Sequence, residues 1–291
     1  MRITNVYLKD VGPFKRGRGL FSLNTDDDRV LLTGISGSGK STALSAIAQL
    51  WCMLEGFPGG MIMDSSPSGC MAMHVSGLED GDCLILMGGD PGFEADIAKR
   101  HPGAKVLKAE QGRPMPGWPN MIMLDGDWHR AKKVQDITNA WFLTDDDVSD
   151  VWPEVLGNLL KKGDEKAKAA LKSINRLLAG KKLEMAPNGG VHVVLDGDQP
   201  HGPDRLSMGE KHLAVLCFCA ACCLKEGGVL LLDEPAVHLH PSQVMGLLST
   251  LEGYCLNAGG QMLLISHNPA IWQRYEELGL AVELEGSHAC E

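Results

Sequence analysis

The 291-residue chain lacks an excess of positive charge: 27 Lys and Arg stand against 37 Asp and Glu, for a net charge of −10. A surface that is basic all over is thereby excluded, and any contact with nucleic acid has to come from a local patch. A long apolar run is also missing. No stretch approaches the ~18–20 apolar residues needed to span a bilayer, so no membrane association is expected. The opening segment, MRITNVYLKDVG, alternates like a strand and has no signal-peptide core, which makes the cytoplasm the expected compartment. Neither an internal repeat nor a heptad pattern long enough for an extended coiled coil is present.

Hydrophobic residues at 44% and charged residues at 22% are close to the globular norm, so a sizeable core can form. The nine cysteines, in a chain of this length without a secretion signal, read as reduced thiols. Cys217, Cys219, Cys222 and Cys223 crowd into the apolar run AVLCFCAACCL. Small buried core residues are the preferred reading there over a metal site.

The strongest patterns lie at the two ends. Residues 2–57 read as strand, turn, strand, Gly-rich loop and helix. Residues 191–284 read as strand, loop, helix, buried strand, loop, helix and strand. Val229–Leu232 and Met262–Ile265 are short, wholly apolar and flanked by polar loops, as buried parallel strands are. The middle contains an expected hairpin across Glu79–Asp82, a possible strand at 121–124, and a mainly helical stretch over 145–182 punctuated by Gly163 and Gly180. The expected organisation is one domain assembled from an N-terminal part (1–57) and a C-terminal part (191–291), with an inserted β and helical lobe (58–190) between them.

Four motifs carry chemistry. After the strand Val30–Thr33 comes Gly34-Ile35-Ser36-Gly37-Ser38-Gly39-Lys40-Ser41-Thr42 and then a helical pattern, which satisfies the phosphate-loop spacing in its strand–loop–helix setting. Gly34, Gly37 and Gly39 let backbone N–H groups turn inward, and Ser36, Ser38 and Thr42 complete the cradle for ATP. Lys40 brings charge to the β- and γ-phosphates, and the Ser41 hydroxyl reaches Mg²⁺. The apolar strand 229–232 ends in Asp233-Glu234. Asp233 is expected to hold the same metal and Glu234 to act as general base on water. Leu206-Ser207-Met208-Gly209-Glu210-Lys211 opens another helix. Ser207 and Glu210 form at least a capping box, and with Gly209 and free N–H groups they also make a second anion site. Glu210 and Asp233 stand 23 positions apart, room for one helix and one strand. Finally, a strand ending at Ile265 delivers His267 to a sheet edge, within reach of a phosphate or of the attacking water.

Together these motifs resemble an ABC-type ATPase, and more narrowly the RecF/SMC/OLD-like branch of bacterial AAA ATPases. The opening ITNVYLKDVGPFKR, the signature form LSMGEK and the run DEPAVHLHP from Asp233 to Pro241 carry that narrower likeness. It covers residues 2–57 and about 190–270. It implies an α/β P-loop NTPase of ABC-ATPase type, a mixed sheet with an antiparallel β lobe and a helical insertion. It further implies a homodimer formed head to head on ATP, with Ser207 and Gly209 gripping the γ-phosphate held by the partner copy. A separate effector protein and possible action on DNA, in repair or anti-phage defence, belong to the same expectation. The alternative is the nucleotide-binding subunit of an ABC transporter, whose usual signature and SALD-type loop are missing here. The relatives' glutamine at the end of an early strand has no counterpart: Met121–Leu124 leads into Asp125-Gly126-Asp127, with Gln111 and Gln135 on either side. That run and Asp196–Asp198 read as Asp-Gly turns in preference to a nuclease centre. His238 and His240 read as part of the DEPAVHLHP loop in preference to a zinc pair. The few residues beyond His267 are expected to leave no room for the TOPRIM nuclease domain of OLD proteins. Lys161 to Lys182 form a basic segment in which Lys168, Lys172 and Arg176 share a helical face. A solvated face is the simpler reading and a phosphate-backbone contact stays open.

Overall fold

Apolar runs too short for helices pair into sheets, and in this computed structural model they build two layers with a helix between them. The structure describes residues 1–14, 20–56, 69–112, 118–125, 140–143, 152–187, 189–195 and 199–284. One sheet joins β1 (Arg2–Lys9) and β2 (Phe21–Asn24) to β4 (Cys70–Ser76), β5 (Cys83–Met87) and β6 (Lys105–Lys108), in the order β2-β1-β4-β5-β6. Its pairs are antiparallel except β5 with β6. The other holds β3 (Arg29–Thr33), β7 (Met121–Asp125), β8 (Ala140–Leu143), β11 (Val229–Asp233), β12 (Gln261–Ile265) and β13 (Ala281–Glu283), in the order β13-β3-β12-β11-β7-β8 and parallel throughout.

The central strands are apolar at successive positions because both of their faces are covered. Leu31, Leu230, Leu232, Met262 and Leu264 enter one core. Val30, Leu32, Val229, Leu231, Leu263 and Ile265 enter the other. This alternation is the two-residue period of a strand, here with apolar partners on each side. Helix α1 (Lys40–Leu54) lies between the two sheets, which is why it is buried almost all round, from Ala43 and Leu44 to Trp51 and Leu54. α2 (Pro91–Arg100) covers the outer face of the antiparallel sheet through Phe93 and Ile97. On the far side of the parallel sheet lie α3 (Trp152–Lys161), α4 (Glu165–Leu177), the hairpin β9 (Lys181–Met185) and β10 (Val191–Leu195), α5 (Met208–Phe218), α6 (Pro241–Asn257) and α7 (Pro269–Glu277). Many of their buried residues join the first core.

Described strands from segment 58–190 enter both sheets. β4 to β6 extend the sheet begun by β1 and β2, and β7 pairs with β11 in the central sheet. A strand as apolar as Met121–Leu124 can bury both faces only inside a covered sheet. The helical insertion is α3, α4 and the β9–β10 hairpin. A buried side chain ties the two sheets together: Gln261 on β12 accepts from the Ile3 N–H at 2.8 Å and donates to the carbonyls of Ile3, Thr25 and Asp27.

Within the helical insertion, Gly157 of α3 lies so close to Gly190 that a Cβ would stand 2.3 Å from its Cα. Alanine improves helix propensity by only about 1 kcal/mol, whereas forcing two backbones apart costs ~1–3 kcal/mol. The substitution G157A is therefore expected to destabilise the protein by up to about 2 kcal/mol net, read as a lower denaturation midpoint. A midpoint at or above the unmutated value would show that the two segments separate freely.

Candidate nucleotide site

Three adjacent parallel strands end at one edge. The register aligns Leu32 of β3 with Ile265 of β12, Ile265 with Asp233 of β11, and Asp233 with Asp125 of β7. The loops that follow β3, β11 and β12 therefore open side by side, as ligand sites of α/β sheets do. They enclose a cleft of about 250 Å³ lined by the phosphate loop, Pro13, Asp233, Glu234, Ile265 and His267.

The loop wraps backward because its glycines adopt left-handed backbone, with φ of 83° at Gly37 and 100° at Gly39. Gly39 also caps α1 and supplies no side-chain acceptor. Among the described residues, first-turn N–H groups of α2, α4, α5, α6 and α7 each donate to a side-chain acceptor at the cap, on Asp90, Asp164, Ser207, His240 and Asn268 respectively. The first N–H groups of α1 thus keep their capacity for an anion. Gly39 has a second reason to lack a side chain: a Cβ would stand 2.4 Å from the Phe14 ring. Gly12 lies similarly against Thr42, at 2.9 Å. The Gly-Pro-Phe turn near the N-terminus is thereby pressed onto the loop, with Pro13 in the cleft wall. Lys40 is 5% exposed, and its Nζ donates to the carbonyls of Gly34 at 2.8 Å and Ile35 at 3.0 Å. Burial lowers its pKa, opposed by the charges of Glu234 and Asp233. A buried cation facing two carboxylates across a cleft favours a polyanion bridged by a metal.

Glu234 is held in an unusual backbone state, φ 50°, which costs a non-glycine residue of order 1–3 kcal/mol. Its N–H is tied to the Ile265 carbonyl at 3.0 Å. Oε2 accepts from the His267 N–H at 3.1 Å, and Oε1 lies 3.6 Å from His267 Nε2. Oε1 is buried without a hydrogen-bond donor among the described residues. A carboxylate oxygen in that condition is suited to orient water and take a proton from it. Glu234 and His267 thus form one unit.

The Ser207 helix tip is elsewhere. Ser207 caps α5, with Glu210 N–H to Ser207 Oγ at 3.3 Å and Ser207 N–H to Glu210 Oε2 at 2.7 Å. Neither Ser207 nor Gly209 lines the cleft. Gly209 has a packing reason to lack a side chain: a Cβ would stand 2.3 Å from the His238 carbonyl oxygen. His238 has φ 66°. One turn on, buried His212 donates from Nε2 to the Pro235 carbonyl at 3.1 Å. The signature helix is thus locked against the loop that carries Glu234, a connection no spacing rule foretells. The two most exposed large apolar side chains among the described residues are Met208 at 59%, at the start of α5, and Ile35 at 58%, in the glycine-rich loop.

The remaining motifs are ordinary or fall outside the described residues. Gly126, Asp127, Gln135 and Asp196–Asp198 lie outside them. Asp125 takes the strand-end place beside Asp233, while Gln111 sits in a short turn away from that edge. His240 Nδ1 accepts from the Ser242 N–H at 3.3 Å as a helix cap. No cluster of three metal-ligating side chains of the His, Cys, Asp and Glu types occurs among the described residues. Cys217, Cys219 and Cys255 are buried and unpaired, with burial raising the Cys217 and Cys255 thiols to about 12. The basic segment is partly used internally: Lys168 pairs with Glu165, Arg176 donates to Thr250 and Lys181 pairs with Glu210. No helix among the described residues is long and apolar enough to cross a membrane.

A glycine cradle, a buried lysine and an acidic pair at one edge of a covered parallel sheet define a P-loop ATPase of the ABC/AAA type. The chain belongs to the family described as "AAA domain, putative AbiEii toxin, Type IV TA system", which matches residues 124–272. Among curated proteins none matches it. The fold is similar to that of an SMC head solved bound to the C-winged helix domain of ScpA, at 16% identity and TM-score 0.54. It is also similar to the SMC head domain from Thermotoga maritima, at 18% identity and TM-score 0.50. Each comparison covers 94% of this chain and 92% of the other.

Burial lowers the His212 pKa to about 4, with the Pro235 hydrogen bond opposing and His238 adding to the shift. The folded state thus holds this ring neutral, so its contribution is complete above pH 6.5 and is lost as pH falls toward 4. The unmutated protein should lose up to about 3 kcal/mol more than H212Q between pH 7 and pH 4. Denaturant titrations at both pH values measure the difference, and parallel losses would show that the ring is not held neutral.

Proposed function

We propose that the protein hydrolyses Mg·ATP in a composite site formed when two copies pair head to head. Within one copy, the Gly34–Thr42 cradle binds the phosphates and Lys40 stabilises their charge. Ser41 and Asp233 would hold Mg²⁺, which when bound neutralises charge on the β- and γ-phosphates. Glu234 orients water and accepts its proton at Oε1, and His267 holds Glu234 while facing the γ-phosphate. Ser207 and the first N–H groups of α5 grip that phosphate from the partner copy. ATP then acts as a removable link between protomers.

The observation that supports this most is the division of the anion sites. One cleft contains the cradle, the carboxylates and the histidine, while a second capped helix tip stands outside it with exposed Met208 beside it. A tip built to accept an anion but remote from its own cradle has a use when a second copy presents a phosphate. We further propose that pairing signals to a separate effector protein, in a defence or DNA-maintenance setting. The family description names a toxin system, which supports the defence setting, and the similar SMC head was solved with a bound partner domain, which supports a partner protein. Direct DNA contact would fall to the lysines of α3 and α4 that are not paired internally.

Glu234→Gln keeps the shape of the base and removes its charge. It is expected to lower steady-state turnover by about 10²–10⁴-fold and to accumulate an ATP-bound dimer, seen by sedimentation with and without Mg·ATP. A variant that stays monomeric at saturating nucleotide, with no companion protein restoring pairing, would overturn the composite site.

A further inference from the structure

The tip of α5 contains an electrostatic conflict. A helix N-terminus attracts anions because its unpaired N–H groups and dipole carry about half a positive charge. Glu210 sits in that first turn with a full negative charge, and its side chain is only 12% exposed. A phosphate arriving at Ser207 would meet a carboxylate three residues away, with little water between to screen it. Capping alone does not solve this, since the cap uses the carboxylate as acceptor and leaves the charge in place.

The structure brings in a lysine from another part of the chain. Lys181 Nζ lies 2.6 Å from Glu210 Oε2, the same oxygen that accepts the Ser207 N–H at 2.7 Å. Burial works against the charged carboxylate, but the bonds from Lys181 and Ser207 outweigh it and hold the Glu210 pKa below its ordinary value. Glu210 is therefore ionised and already satisfied. Lys181 opens β9, and that strand is fixed to α4: Asn175 accepts from the Leu183 N–H at 2.7 Å and donates to its carbonyl at 2.9 Å. α4 is fixed in turn to α6, through Arg176 to Thr250 at 2.9 Å and Gln243 to the Leu177 carbonyl at 3.1 Å. The lysine is thus supplied by a braced arm of the helical insertion, and its side chain is only 22% exposed.

We infer that Lys181 is a positioning residue for the Ser207 tip, holding the Glu210 carboxylate so that Ser207 is correctly aimed and the local charge no longer repels a partner-borne phosphate. This rests on the proposed pairing of two copies. It makes the helical insertion an input arm: displacing β9 from α5 would expose the Glu210 charge and weaken pairing without touching the phosphate cradle.

The test measures the dissociation constant of the Mg·ATP-linked dimer by sedimentation in the E234Q background, with a thermal melt of each variant as a check on folding. K181M should weaken pairing roughly tenfold, the scale of one hydrogen bond to a charged group. K181R should restore it. Adding E210Q to K181M should also restore most of it, because glutamine keeps the capping acceptor and removes the charge. Higher salt should narrow the gap between K181M and its parent. Equal pairing of K181M and its parent would overturn the inference while leaving the composite site standing. So would a loss that neither K181R nor E210Q corrects. If E234Q itself fails to pair, the composite site and this inference fall together.

Discussion

The site depends on the position of β12 between β3 and β11 in a parallel sheet. Because all three strands run the same way, the turn after each opens at the same edge. The phosphate loop, the acidic pair and the histidine meet there although they lie far apart along the chain. The strands stay in place because each face of each strand is apolar and covered: α1 and the antiparallel sheet press on one side, the remaining helices on the other. Gln261 then pins β12 to the backbone of β1 and of the loop beyond β2. The chemistry at the edge is polar and strained, and it is tolerated because the strands beneath it are not.

That strain is concentrated on two residues. Glu234 and His238 both adopt positive φ within one short loop, and that loop is held by α5 at two points, the Gly209 approach to the His238 carbonyl and the His212 bond to Pro235. The helix that begins at Ser207 is thus joined at two points to the loop that carries the carboxylate of the cleft. A shift of the Ser207 tip would therefore be felt at the carboxylate of the same chain, through a short connection of packed backbone.

The glycines show how one residue type serves different physical needs. Gly37 supplies backbone freedom and faces open space, whereas Gly39 combines a left-handed turn with contact against Phe14. Gly209, in the Leu206–Lys211 signature, is bare on the side that meets a carbonyl of its own chain.

The fold class, the cradle, the acidic strand end, the capping box and the histidine were legible in the sequence, because each depends on short-range rules. Strand periodicity, the spacing of glycines around a lysine and the Ser-x-x-Glu cap are set within about ten residues. β2 and the membership of β4 to β7 in two different sheets were not legible, since pairing is decided by which distant apolar face remains to be covered. Nor were the contacts Gly39–Phe14, Gly209–His238, His212–Pro235 and Lys181–Glu210, which join residues that become neighbours only when helices pack. The sequence by itself determined which polar and glycine residues stand at the strand ends and helix starts. Tertiary packing alone decided that the cradle and the carboxylates share one cleft while the serine tip stands outside it, because distances between separate elements are set by how their buried faces fit together.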